Sequence, residues 1–170
     1  NTLNKVVKFL KNFKKNRFLK VIYCPPSTLI EPMSERLKIS GIKVGAQNCH
    51  ENFNYGAFTG FINSKMLKNV GAKYIILGHS ENRYAGETDK LINLKIKSAL
   101  KSGLKVIFCI GENIQEKRKK ITKQVLSKQI KLGLRGIKNK NSIIIAYESV
   151  WSIGTGLITK IDDLFKTVNF

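Results

Sequence analysis

Residues 104–112 read LKVIFCIGE: a short aliphatic and β-branched run, apolar at consecutive as well as alternate positions, closed by a glycine and a carboxylate. A run of that length and make-up predicts a strand buried on both faces, here residues 104–110. Four further blocks have the same character, at residues 20–24, 42–46, 73–77 and 142–147. Between them, helical patterns are predicted at residues 28–38, 64–70, 88–101 and 114–132, with another begun at 162–168 and a short turn starting near Ser80. The chain opens with Leu3, Val6, Val7, Leu10 and Phe13 at helical spacing and lysines between them, which predicts an amphipathic helix laid on a sheet rather than on a membrane surface. Strands buried on both faces and separated by helices belong to a parallel sheet with helical crossovers, so the fold class is α/β.

Composition bounds the function. With 170 residues, 42% hydrophobic and 25% charged, one globular domain is expected and disorder is excluded as the main reading. No apolar run approaches the roughly 18 residues of a membrane span, so no membrane partner is expected. The formal charge of +20 comes from 31 basic and 11 acidic side chains and favours anionic partners. Lysine, asparagine and isoleucine are all abundant, so biased composition is the simpler account of that charge. The basic run Lys117, Arg118, Lys119, Lys120 and Lys123 has no interleaved aromatic and reads as a solvated helix face; no nucleic-acid partner is expected. Cys24, Cys49 and Cys109 contain no CxxC pair, which argues against a disulfide framework and for a reducing, cytoplasmic setting. With two histidines, a multi-histidine metal site has little to draw on.

The chemically capable side chains cluster in register with the strand ends. Gln47 and Asn48, His79 and Ser80, Cys109 and Glu112, and Glu148 each fall at or just past the end of a predicted strand. In parallel α/β folds that edge holds the site. Opposite turns, such as residues 71–73 and 102–105, carry lysine, glycine and small residues. His79 precedes a helical turn whose N-terminus disfavours imidazolium, so a neutral, hydrogen-bond-donating ring is expected; a structural strand cap is the alternative. Glu148, at the mouth of an apolar strand, has the setting of a general base, with a salt bridge to a basic neighbour as the alternative. The segment Ser149, Val150, Trp151, Ser152, Ile153, Gly154, Thr155 and Gly156 has one aromatic anchor, terminal glycines and no regular period, the make-up of a lid. Cys49 and His50 read as a loop thiol beside an exposed imidazole, and Cys109 as a buried thiol.

Taken together, GAQNCH (45–50), YGAFTG (55–60), ILGHSENR (76–83), CIGE (109–112) and AYESVWSIGTG (146–156) strongly resemble the triosephosphate isomerase family. The resemblance implies a TIM (β/α)8 barrel, incomplete here. It implies Glu148 as the proton-moving base, His79 as the neutral electrophile, Gly154 as a backbone holder of substrate phosphate, Glu81 and Glu112 as supporting acids, and Thr59 as a contact into a partner subunit of a homodimer. The reaction implied is the glycolytic and gluconeogenic interconversion of glyceraldehyde 3-phosphate and dihydroxyacetone phosphate, with small phosphorylated trioses as substrates and no cofactor or metal. Ser149 stands where the family has a hinge proline, Leu157 where it has lysine, Asn82 where it has a basic residue and Phe61 where it has an acidic one. A complete barrel has eight strand–helix units and about 250 residues. Residues 1–170 are therefore expected to be an interior piece, lacking the first unit and the last two, inactive alone and not expected to fold alone, because an open sheet exposes its edges.

Overall fold

The computed structural model describes residues 2–11 and 19–170; Phe13, assigned above to the opening helix, lies outside them. The elements in chain order are α1 (Thr2–Lys11), β1 (Ile22–Tyr23), α2 (Ile30–Leu37), β2 (Lys43–Ala46), α3 (Ser64–Asn69), β3 (Tyr74–Leu77), α4 (Ser80–Tyr84), α5 (Asp89–Lys101), β4 (Lys105–Ile110), α6 (Ile114–Arg118), α7 (Thr122–Gly133), β5 (Ile143–Tyr147) and α8 (Ile161–Val168). The five strands form one sheet in the order β1-β2-β3-β4-β5. Every neighbouring pair is parallel, with Tyr74 opposite Lys105 and Val106 opposite Ile143 setting the central register. Sequential parallel neighbours joined by helices are the arrangement expected of an opened barrel.

The core lies where α5 and α7 cover β3 and β4. Ile75, Leu77, Val106 and Phe108 of the strands and Ile92, Ile96, Ala99 and Leu126 of the helices are all at most 1% exposed. Each large aliphatic or aromatic side chain so buried contributes roughly 1.5–3 kcal/mol. Thr88 starts α5 by accepting the Leu91 N–H at 3.2 Å, and Asn63 starts α3 in the same way through Met66 at 2.9 Å. The opening helix buries Val7 and Leu10 and joins α2 through Arg36, which donates to Asn4 Oδ1 at 2.6 Å.

Two elements differ from the sequence reading. The first strand is confined to Ile22–Tyr23 rather than 20–24. It has one neighbour, β2, and Pro25 and Pro26 follow directly, removing donors and restricting Cys24. The helix expected over 114–132 is two helices, joined through Lys120 at φ 57. A capping box between Asn113 and Glu116 fixes the start of α6, while Leu126 anchors α7 on the core. The left-handed Lys120 lets each helix keep its own anchor.

The open edge is β5, where Ile144 and Ile145 are 44% and 43% exposed. An apolar groove of about 540 Å³ runs beside it, lined by Leu126, Ile130, Ile145, Tyr147, Val168 and Phe170 among others. No helix among the described residues is long and apolar enough to cross a membrane.

Candidate active site

The carboxyl ends of β3, β4 and β5 bring His79, Cys109 and Glu148 together. His79 caps α4: its Nδ1 accepts the Glu81 backbone N–H at 3.4 Å. With Nδ1 accepting, Nε2 is the ring nitrogen left to donate. That Nε2 lies 3.4 Å from Glu148 Oε1. The Glu148 Oε2 accepts the Ser80 N–H at 3.1 Å, at the positive end of α4. Glu148 is thus held between an imidazole and a helix start, and neither a lysine nor an arginine pairs with it among the described residues. The salt bridge to a lysine or arginine, the alternative raised by the sequence, does not form among the described residues.

Other groups fix this geometry from behind. Arg83 donates to the carbonyls of Gly78 at 2.7 Å and Cys109 at 3.2 Å and pairs with Asp89 at 2.7 Å, tying the ends of β3 and β4 together. Gln129 of α7 accepts the Gly111 N–H at 2.9 Å and donates to the Gly111 carbonyl at 3.0 Å. Gly111 in turn packs so closely on the β5 end that a Cβ there would stand 2.0 Å from the Glu148 carbonyl oxygen. Burial, with the Glu148 carboxylate adjacent, raises the Cys109 thiol far above the ordinary cysteine range, so it stays protonated.

The segment after Glu148 is latched rather than shapeless. Val150–Ser152 form a 3-10 turn, a difference from the aperiodic reading. The Trp151 Nε1–H donates to Glu112 Oε1 at 2.9 Å, and the Tyr147 hydroxyl donates to Glu112 Oε1 and Oε2 at 3.0 and 3.1 Å. Glu112 is wholly buried. Thr159 Oγ1 meets Ser149 Oγ at 2.9 Å, closing the base of the segment. At the tip, Gly154 has φ 70 and open space around it, a left-handed conformation suited to glycine. Replacing Tyr147 by Phe leaves the buried Glu112 with one donor; a loss of about 1–3 kcal/mol is expected. Denaturant unfolding followed through Trp151, the only tryptophan, measures it, and an unchanged midpoint would remove Glu112 as the anchor.

The readings of Cys49 and His50 are revised; those of Glu81 and Thr59 are not. Glu81 supports His79 through its backbone N–H; its carboxylate is 83% exposed and 3.7 Å from Nδ1. Cys49 is buried, and burial pushes its thiol up to about 12. His50 is only 11% exposed and packs between Phe58 and Phe61 at centroid distances of 4.8 and 4.7 Å, so it is not an exposed imidazole. Thr59 stands in an exposed loop. Arg83 and Gln129 were not singled out by sequence reasoning, since, apart from Asp89, their partners are backbone carbonyls and amides that leave no residue-type signal. No cluster of three or more metal-ligating side chains occurs among the described residues.

A sheet of sequentially adjacent parallel strands joined by helices, with polar groups gathered at the carboxyl ends of the strands, defines a (β/α)-barrel protein. A solved structure of triosephosphate isomerase from Bartonella henselae is similar, with a TM-score of 0.79 and 34% identity over 86% of this chain and 60% of that one. The triosephosphate isomerase family profile matches residues 1–170, and the chain belongs to that family. Curated triosephosphate isomerases from Carboxydothermus hydrogenoformans and Aquifex aeolicus are 47% and 40% identical to it, over 88% and 99% of this chain. The chain spans 61% of the first relative's length and 72% of the second's.

Proposed function

We propose that this chain forms the acid–base half of an enzyme that interconverts glyceraldehyde 3-phosphate and dihydroxyacetone phosphate. The observation that carries the reading is the 3.4 Å approach of His79 Nε2 to Glu148 Oε1, at one mouth shared by three strands. On substrate binding, a Glu148 oxygen exchanges its Ser80 N–H for the hydrogen on the carbon beside the carbonyl and removes it as a proton. The His79 Nε2–H donates to the substrate oxygen, stabilising the enediolate as charge moves onto it. Glu148 returns the proton to the neighbouring carbon while the hydroxyl proton passes through His79 Nε2 from one substrate oxygen to the other, so no external acid, oxidant or cofactor is consumed.

Supporting contacts follow from the same positions. The Gly154 N–H, at the free tip of the flap, would take the substrate phosphate, and closure of residues 149–156 would shut water away from the enediolate. The positive field of the chain draws in dianionic trioses. Thr59 lies in a loop with Phe58 and Phe61 exposed at 40% and 61%, which favours a homodimer contact there, and the cytoplasm suits the free thiols. The longest natural polypeptide containing residues 1–170, incubated with dihydroxyacetone phosphate in D₂O, should place deuterium on the carbon next to the carbonyl. Absence of both exchange and isomerisation would overturn the reading.

A further inference from the structure

The segment that follows Glu148 has two arms with unequal support. Its outgoing arm is gripped through Trp151: Glu112 Oε1 accepts the indole N–H at 2.9 Å, and the Lys117 ammonium of α6 lies 5.2 Å from the centre of the ring. The returning arm has no such grip. From residue 153 to residue 160, every residue is exposed except Thr159. Apart from the bond made by Thr159, the hydrogen bonds of this arm among the described residues are local: Ile153 N–H to Val150 O at 3.3 Å, Thr155 N–H to Ser152 O at 3.4 Å and Thr155 Oγ1–H to Trp151 O at 3.2 Å are examples. No ion pair among the described residues reaches it.

Thr159 alone turns back. Its Oγ1 donates to Ser149 Oγ at 2.9 Å across ten positions of chain, in a partly buried setting. Ser149 is itself held, since its carbonyl accepts the Ser152 N–H at 2.8 Å and the Ser152 hydroxyl at 2.7 Å. The residue before it, Glu148, donates its N–H to Ile110 O at 2.8 Å and abuts Gly111. The hydroxyl pair therefore moors the free arm to the fixed end of β5, one residue from the carboxylate. Between the moorings, Gly154 and Gly156 have φ 70 and 73, and a Cβ added at either would meet nothing within 4 Å. The tip thus has little packing of its own to keep the arms aligned.

We propose that Ser149 and Thr159 are positioning residues for the flap: their hydroxyl pair keeps the two arms at a fixed spacing, so that the segment closes as one body and carries the Gly154 N–H to the substrate. Neither side chain touches substrate. The consequence for turnover rests on the isomerase reading, whereas the mooring rests on the contact between residues 149 and 159. With the pair broken, closure must first fix backbone torsions that the intact pair already restricts. Loss of one neutral hydrogen bond shifts a local opening equilibrium about fivefold.

Hydrogen exchange of the longest natural polypeptide containing residues 1–170, read at the Ser152 and Ile153 amides, tests the pair without need of activity. Thr159→Val, which keeps the shape and removes the hydroxyl, should speed exchange there about fivefold. Ser149→Ala should do the same, and the two together should exceed either alone by less than about twofold, because they break a single bond. Thr159→Ser restores the hydroxyl and should exchange within about twofold of wild type. With a triose phosphate as substrate, Thr159→Val should lower kcat/KM about fivefold, chiefly by raising KM. Wild-type exchange in Thr159→Val, effects that multiply in the double variant, exchange in Thr159→Ser as fast as in Thr159→Val, or faster exchange with kcat/KM unchanged would each overturn the proposal. Faster exchange in a protein that isomerises no triose phosphate would leave the mooring in place, while the isomerase reading, and with it the pair's part in turnover, would fall.

Discussion

Replacing Glu148 by Asp should lower kcat of the proposed isomerisation by about a hundred-fold or more, with KM little changed. The substitution keeps the carboxylate and its chemistry but withdraws it by one methylene from a position now fixed by Ser80 N–H at 3.1 Å and His79 Nε2 at 3.4 Å. Misplacing a reacting group by about 1 Å costs on the order of 10²-fold, or about 2.7 kcal/mol in the barrier. Because the loss falls on the transition state rather than on binding, it should appear in kcat and kcat/KM alike. Steady-state kinetics with either triose phosphate decides the matter: turnover equal to wild type would remove Glu148 from the proton transfer.

Gly111→Ala should be the most damaging single methyl in the chain. Its Cβ would stand 2.0 Å from the Glu148 carbonyl oxygen and 2.8 Å from Val150 Cγ2. The first obstacle is backbone, so no rotamer relieves it. Gly111 cannot retreat the other way without breaking both bonds to Gln129. Overpacking of this kind costs about 1–3 kcal/mol or more, to which loss of the two hydrogen bonds adds about 1–3 kcal/mol. Thermal or urea unfolding measures the loss, and a midpoint within error of wild type would show that β4 and β5 have more play here than their contact implies. Since the displaced atom belongs to Glu148, any remaining activity should fall as well.

Much of this architecture was legible in sequence because parallel strands buried on both faces must be continuous apolar runs. The blocks at 42–46, 73–77, 104–110 and 142–147 return as β2 to β5 with ends shifted by a residue. The first block was overread, since its apolar content says nothing of having one neighbour and two prolines behind it. The break at Lys120 was invisible because a lysine in the left-handed region carries no glycine signal. At the candidate site, His79 and Glu148 were singled out by their places at strand ends, yet Glu148 was weighed against a basic partner. Its actual partners lie in the β3–α4 turn, 68 residues before it in sequence for Ser80. The burial of His50 under Phe58 and Phe61 was missed for the same reason, as it depends on how the loop folds back.

Residue types alone determined the α/β class, the edge where the polar groups gather and the two side chains proposed to carry the chemistry, because these follow from periodicity and from position along each strand. Only the tertiary structure decided that Glu148 is shared between an imidazole and a helix start, and that Glu112 is the buried anchor of the segment after Glu148. The difference is one of range. Local pattern specifies which face a side chain takes, whereas a hydrogen-bond partner exists only once the strands are laid side by side in register.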